Sequence, residues 1–263
     1  MASPAPMELS LTERNHFLLR KLHSLTGIIP VGAFLFEHLL TNSRAMNWFG
    51  GGPAAFNEDV HWIHNLPYLL IIEIVFIFAP LAFHAGYGVI IALSAHPNAS
   101  QYPYMPNRRY TLQRITAWIT LIFIVVHLLK FRFAHWVGWN STWPAGADGT
   151  HVGFVGAEDP FYLTWLGFHA WQPFGYEVAP AAVMAFYVVG LWAAVYHFCN
   201  GIWTFCISWG ITVGARAQQR VGYACVALAA LLLTWGHASL YTFNKTERHE
   251  ARTTTEHLAA GQR

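Results

Sequence analysis

The sequence predicts an all-α protein, an integral membrane bundle of five transmembrane helices, and three observations carry that reading. Fixed charge is scarce: 15 Lys and Arg and 13 Asp and Glu make up 11% of 263 residues, whereas an ordinary domain of this length, about a quarter charged, holds roughly 66. Apolar residues make up 55% and aromatic residues 16%, too many for a water-facing surface. Five stretches reach the ~20 residues with which an apolar helix crosses a bilayer. These figures argue against a soluble enzyme, a disordered chain and a collagenous repeat. The scattered net charge of +2 offers no nucleic-acid footprint. Histidine stands apart: its 15 copies equal Lys and Arg together, and it is a side chain that binds metals and protons.

Residues 1–21 place acids and arginines ahead of the first apolar run, with no small-residue cleavage site close behind a short apolar core. They read as an uncleaved cytoplasmic segment. A membrane domain occupies 22–242, with spans at 22–41, 66–93, 113–137, 180–208 and 221–241. Pro30 and Pro80 fall inside spans one and two and bend them, since proline removes a helical hydrogen bond and neighbouring helices satisfy the freed carbonyl. Lys130 and Arg132 interrupt span three and are expected to snorkel to the nearer interface. Cys199, Cys206 and Cys225 lie in apolar stretches, without a Cys-x-x-Cys-His for covalent haem attachment, and read as packing residues. The long loop 138–179 comes after Trp136 and carries Trp139, Trp143, Trp165 and Trp171, which predicts a segment at headgroup level with a short interfacial helix around 161–171. Residues 243–263 form a charged tail.

Alternate loops fall on opposite sides, so basic residues orient the chain. Arg14, Arg20, Lys21, Arg108, Arg109, Arg114, Arg216 and Arg220 share one side with only Glu8 and Glu13, while the long loop on the other side holds Asp148, Glu158, Asp159 and Glu177. The N-terminus is therefore placed in the cytoplasm and the C-terminus outside.

Each of the first four spans holds one histidine well inside it: His38 in FLFEH, His84 in LAFHAGYG, His127 in IFIVVHLL and His197 in AVYHFCNG. Ionisable residues within a membrane are costly and usually functional. At 1.5 Å per residue, His38 lies ~24 Å along span one and His127 ~21 Å along span three; both spans run outward, so both residues belong to the outer half. Spans two and four run inward, and His84 at ~27 Å and His197 at ~25 Å therefore approach the cytoplasmic face. Two imidazole pairs at two depths match two bis-histidine haems, whose filled axial positions suit electron transfer. Gly32, Gly86, Gly88, Gly190 and Gly201 would let flat macrocycles approach the backbones. A single intramembrane histidine more often hydrogen-bonds between helices, and His237, alone in span five, is given that role. His16, His61, His64, His96, His135, His151, His169, His249 and His257 fall in loops, tails or interfaces and are expected to be solvated.

Around these residues the stretches RKLHSLTGIIPVGAFLFEHL, FNEDVHWIHNLPYLLIIEIVFIFAPLAFHAGYGV, QYPYMPNRRYTLQRITAWITLIFIVVHL and VYHFCNGIWTFCISWGITV closely resemble the single-chain, five-helix, two-haem cytochrome b anchor subunit of succinate dehydrogenases and fumarate reductases. The resemblance covers most of residues 20–216. It implies two haem b groups, with His84 and His197 holding the inner one and His38 and His127 the outer one, the pairing that depth gives independently. It further implies a flavoprotein partner that oxidises succinate, an iron–sulfur partner that relays electrons, and a bacterial cytoplasmic membrane. The subunit itself would exchange electrons with quinone, menaquinone being expected, and would not act on succinate. A higher oligomer of the complex is left open. The resemblance departs at the 138–179 loop, which is longer than expected, and at Val195 and Tyr196, where some fumarate reductases place a glutamate for proton transfer.

Quinone reduction takes up protons and calls for an ionisable group near the electron donor. Glu73, eleven residues before His84 and so three turns back on the same inward face, is expected to exchange protons at an outer quinone site. Its plainer role is to accept a hydrogen bond from a neighbouring helix. Glu37, beside His38, points to a different helix face, as an acceptor behind the ligand or an outward charge. Haem propionates need donors, and Arg20, His23, Ser24, Gln113 and Arg114 gather at the inner ends of spans one and three, where helix N-termini add positive potential. An inner quinone site is a second location. The competing classes are a two-haem cytochrome of a hydrogenase or formate dehydrogenase, and a proton-coupled transporter using histidine relays.

Overall fold

The computed structural model describes residues 11–94, 105–139, 143, 154 and 157–245. The expected charged tail beyond 245, Asp148, and His96, His151, His249 and His257 lie outside the described residues. Among the described residues the chain is helical without strands: α1 (Leu11–Ile28), α2 (Pro30–Ser43), α3 (Pro53–His64), α4 (Leu69–Ile72), a π-helical stretch (Glu73–Phe78), α5 (Ala79–Ser94), α6 (Met105–Lys130), α7 (Ala134–Val137), α8 (Pro160–His169), a 3₁₀ turn (Pro173–Gly175), α9 (Pro180–Ser208) and α10 (Ala215–Lys245). Five helical runs are long and apolar enough to cross a membrane: Asn15–Ser43, Leu69–Ser94, Asn107–Lys130, Pro180–Ser208 and Ala215–Lys245. They correspond to the five expected spans, with the first and last longer than expected and the third shifted from 113–137 to Asn107–Lys130, so that Lys130 ends it and Arg132 lies beyond it.

Proline sets several boundaries. Pro30 divides span one into α1 and α2, and Pro53, Pro160 and Pro180 each open a helix, where their missing N–H is not needed. Pro80 offers no N–H to the turn before it, and the Ala79 N–H bonds the Ile74 carbonyl five residues back at the end of the π-helical stretch. Each residue inserted into an α-helix rotates the remainder of that helix by ~100°, so the simple three-turn register expected between Glu73 and His84 does not carry through. After α9, Gly210 takes a left-handed φ of +72°, and the Ile211 N–H closes on the Cys206 carbonyl at 2.9 Å, a helix stop that favours glycine.

The face where span one begins is termed the N face and the face where span five ends the C face. The α9 helix packs along both α6 and α10, α10 lies against α2, and α1 lies against α5. Leu70, Ile71, Val75, Phe76, Leu93, Trp192 and Val226 remain exposed along the spans, the apolar surface that a bilayer covers. Cys199 and Cys225 are buried, and the three cysteines are free thiols, as expected of packing residues.

The densest core lies at the C face, where the α8 segment of the long loop packs against the bundle. The α8 helix forms close to where it is expected, but Phe161, Leu163, Trp165, Leu166 and Phe168 are buried against Phe56 and Val60 of α3, Tyr187 of α9 and Phe243 of α10. The helix is a lid. Asn57 secures it by donating to Asp159 Oδ1 at 2.9 Å and accepting the Phe161 N–H at 2.7 Å, while Asp159 also caps the helix through the Tyr162 N–H at 2.9 Å.

The lid changes the fate of two charges. Lys130 does not snorkel: it is 1% exposed, because α8 and α9 close aromatic rings around its stem. Arg132 instead grips Glu73 with both ends of its fork, at 2.7 and 3.1 Å.

Candidate functional site

The four intramembrane histidines meet in the two expected pairs. Towards the N face, the rings of His84 and His197 lie 6.1 Å apart between centroids; towards the C face, those of His38 and His127 lie 5.7 Å apart. In both pairs the ring planes are nearly perpendicular, at 81° and 79°. Gln113 and His127 mark the two levels on span three, ~21 Å apart by helical rise.

At the N face the backbone sets the imidazole tautomers. His84 Nδ1 lies 2.8 Å from the His23 carbonyl and His197 Nδ1 lies 3.1 Å from the Gln113 carbonyl. A carbonyl only accepts, so each Nδ1 carries the proton and each Nε2 keeps its lone pair, the form in which histidine ligates a metal. The Gln113 side chain returns a bond to the His197 carbonyl at 2.9 Å and accepts from Asn200 at 2.7 Å, and Asn200 accepts from Arg109 at 3.0 Å. The guanidinium of Arg109 covers Trp203 at 3.9 Å. His23 stacks on His84 at 4.1 Å and 5°.

At the C face, side chains rather than carbonyls contact the imidazoles. His127 Nδ1 lies 3.2 Å from the Tyr187 hydroxyl. Asn42 donates to the His38 carbonyl at 2.7 Å and makes a long 3.5 Å contact with His38 Nε2. A cavity of about 180 Å³ opens beside this pair, lined by His38, His127, His64, Asn42, Phe56 and Phe131 among others. Glu37 reaches its edge as a carboxylate that accepts from Thr41 at 2.6 Å. Burial, then the neighbouring His61, holds His64 below the ordinary histidine value.

Haem requires two imidazoles facing each other with free lone pairs, small or apolar neighbours and partners for its anionic arms. The N-face pair fits that group as it stands, and the C-face pair fits it once the long Asn42 contact with His38 Nε2 gives way. Three of the five glycines lie against side chains: Gly32 and Gly190 admit the rings of Phe198 and Phe123, a Cβ at either meeting a ring carbon at 2.1 Å, and Gly88 faces His23, while Gly86 faces open space.

Of the expected propionate donors, His23 and Gln113 orient His84 and His197 through their carbonyls. Ser24 donates to the Lys21 carbonyl at 2.9 Å and accepts from Trp209 at 3.0 Å, Arg114 donates to the Ala92 carbonyl at 2.6 Å, and Arg20 is exposed beside them. His237 is an inter-helix contact, its Nδ1 on the Leu233 carbonyl at 2.8 Å and its Nε2 receiving Trp192 at 3.2 Å. Several histidines expected in solvent are engaged instead: His16 with the Tyr87 hydroxyl at 2.9 Å, His61 with the Ala157 carbonyl at 3.1 Å, and His169 with the Trp165 carbonyl at 3.0 Å. The site residues that sequence reasoning missed are Tyr187, Asn42, Asn200 and Arg109. Their one signal was a polar side chain at the depth of a ligand.

Five membrane-crossing helices with histidines paired across the bundle at two depths define a multi-pass membrane protein with two imidazole pairs. No family model matches the chain. Over 233 residues, 89% of this chain and 100% of the relative, it is 36% identical to the succinate dehydrogenase cytochrome b558 subunit of Bacillus subtilis (strain 168). The chain belongs to the family of succinate dehydrogenase cytochrome b membrane subunits. That membership takes precedence over the hydrogenase, formate dehydrogenase and transporter alternatives.

Proposed function

We propose that this chain anchors a bacterial succinate:quinone oxidoreductase in the cytoplasmic membrane and carries electrons between its iron–sulfur subunit and membrane quinone, with a flavoprotein completing the complex. The N face, rich in arginine, is the cytoplasmic docking side, and the C face lies outside. His84 and His197 hold an inner haem b, and His38 and His127 an outer one. The observation that carries this reading is the pair of Nδ1 contacts to the His23 and Gln113 carbonyls, which leave the Nε2 lone pairs of two rings 6.1 Å apart free. Bound there, the haems supply one-electron carriage that no side chain provides.

The chain's own residues orient the ligands, exclude water and handle protons. Glu73, held by Arg132 close to His64, exchanges protons with quinone at an outer site, for which menaquinone is favoured. A reduced-minus-oxidised spectrum of the purified complex tests the reading. Two b-type components are expected, with His197→Ala removing one and His38→Ala the other. Absence of b-type bands from the wild type would overturn it.

A further inference from the structure

The C face gathers three buried hydrogen-bond donors with no acceptor among the described residues. Lys130 is 1% exposed and its Nζ has no hydrogen-bond partner; the Nε1 atoms of Trp139 and Trp171 are buried in the same condition. The two indoles meet at 5.5 Å between centroids, and the ammonium lies 4.9 Å from the Trp171 ring. The rings of Tyr187 at 4.5 Å, Phe168 at 5.0 Å and Phe131 at 5.2 Å complete the cage. Ring faces attract a cation but leave its three N–H bonds without conventional acceptors. A buried cation in this state calls for a counter-anion.

Donors alone select a ligand that only accepts, and a carboxylate is the strongest such partner. The cluster also adjoins the C-face histidines. Lys130 comes three residues after His127 on α6, and Tyr187 touches both, with its hydroxyl at His127 Nδ1 and its ring against the ammonium. We infer that Lys130, supported by the Trp139 and Trp171 N–H groups, binds a propionate carboxylate of the haem held by His38 and His127. This rests on the two-haem reading of the chain and adds to it the outer propionate partner, since the donors expected from sequence all lie at the N face.

The test is a redox titration of both haem components in the complete complex, comparing wild type with Lys130→Gln, Lys130→Arg and Trp171→Phe. Removing a cation beside a haem favours the oxidised iron, so Lys130→Gln is expected to shift the C-face component to lower potential and leave the N-face component in place. Lys130→Arg keeps the wild-type value, and Trp171→Phe gives a smaller shift of the same sign. Two components with unmoved potentials in Lys130→Gln would overturn the inference while leaving the two-haem reading intact. If Lys130→Gln fails to assemble, an unmoved C-face component in Trp171→Phe overturns it instead. A wild type without b-type bands would overturn the underlying reading.

Discussion

Gly27→Ala is the smallest change that asks whether His84 is held as a ligand. A Cβ at Gly27 would lie 2.3 Å from His84 Cε1 and 2.6 Å from Nδ1, whereas ordinary contact begins near 3.4 Å, so the ring must retreat by about 1 Å. Little room exists for that, because the imidazole is stacked 4.1 Å from His23 and its Nδ1 is bonded to the His23 carbonyl on the same helix as Gly27. A ligand constellation tolerates a displacement of ~0.5 Å, and loss of the Nδ1 bond adds ~1 kcal/mol. Optical redox titration of the membranes should therefore show the N-face component largely lost. The C-face component, ~21 Å away along span three, should keep its amplitude and potential. Gly222→Ala in α10 is the control: an added Cβ there makes only ordinary contact with Trp203, at 3.8 Å, and favours the helix by ~0.5–1 kcal/mol. Retention of both components at wild-type potentials in Gly27→Ala would refute the placement of His84 as a ligand, and loss of both would refute the independence of the two levels.

Three further outcomes are expected. Tyr187→Phe removes the partner of His127 Nδ1 and leaves a buried N–H unsatisfied at ~1–3 kcal/mol; the less basic imidazole should raise the potential of the C-face component alone, and an unchanged titration would exclude the contact. Glu73→Gln should slow quinone turnover on the order of 10²-fold, as loss of an acid–base group does, with both haem spectra intact; unchanged turnover would leave Glu73 as the partner of Arg132 only. Asn57→Ala strips Asp159 and the Phe161 N–H of their bonds at ~2–4 kcal/mol, so thermal denaturation in detergent should show a lowered midpoint, whereas a wild-type midpoint would mean that other contacts secure the lid.

The spans and the two histidine levels were legible because both are one-dimensional properties: apolar length, and position along a helix of fixed rise. The groups that orient the ligands were not, because the N-face acceptors are backbone carbonyls, which no residue type announces. His23 and Gln113 stand out in the sequence for their side chains, yet their carbonyls are the atoms that bond the ligands. Lys130 illustrates a different limit. A lysine at a span end snorkels unless something covers it, and the covering helix α8 begins 30 residues later. That helix in turn lies in a loop whose tryptophans point to an interfacial segment, and the bond that anchors it joins Asn57 to Asp159, 102 residues apart in the chain, which no local pattern announces. Pro80 signalled a distortion of span two without indicating that the preceding turns would widen and re-aim Glu73.

The two histidine pairs are fixed by different means, and this divides them in what can be altered. At the N face the Nδ1 acceptors are main-chain atoms of spans one and three, so the bonds survive any side-chain change at His23 or Gln113 that preserves the helices. Ligand orientation there is a property of how the spans pack. At the C face the contacts are the Tyr187 hydroxyl and the Asn42 amide, under a lid held by its own polar anchors. A substitution at Tyr187 would therefore tune the C-face level while leaving the N-face level alone, because the hydrogen bond to the ring nitrogen remote from a metal governs ligand basicity. The same face also holds the Glu73–Arg132 pair, the cavity beside His64 and the buried Lys130. Side-chain contacts and ionisable groups thus coincide at the C face, the level at which the proposed outer quinone site would take up both electrons and protons.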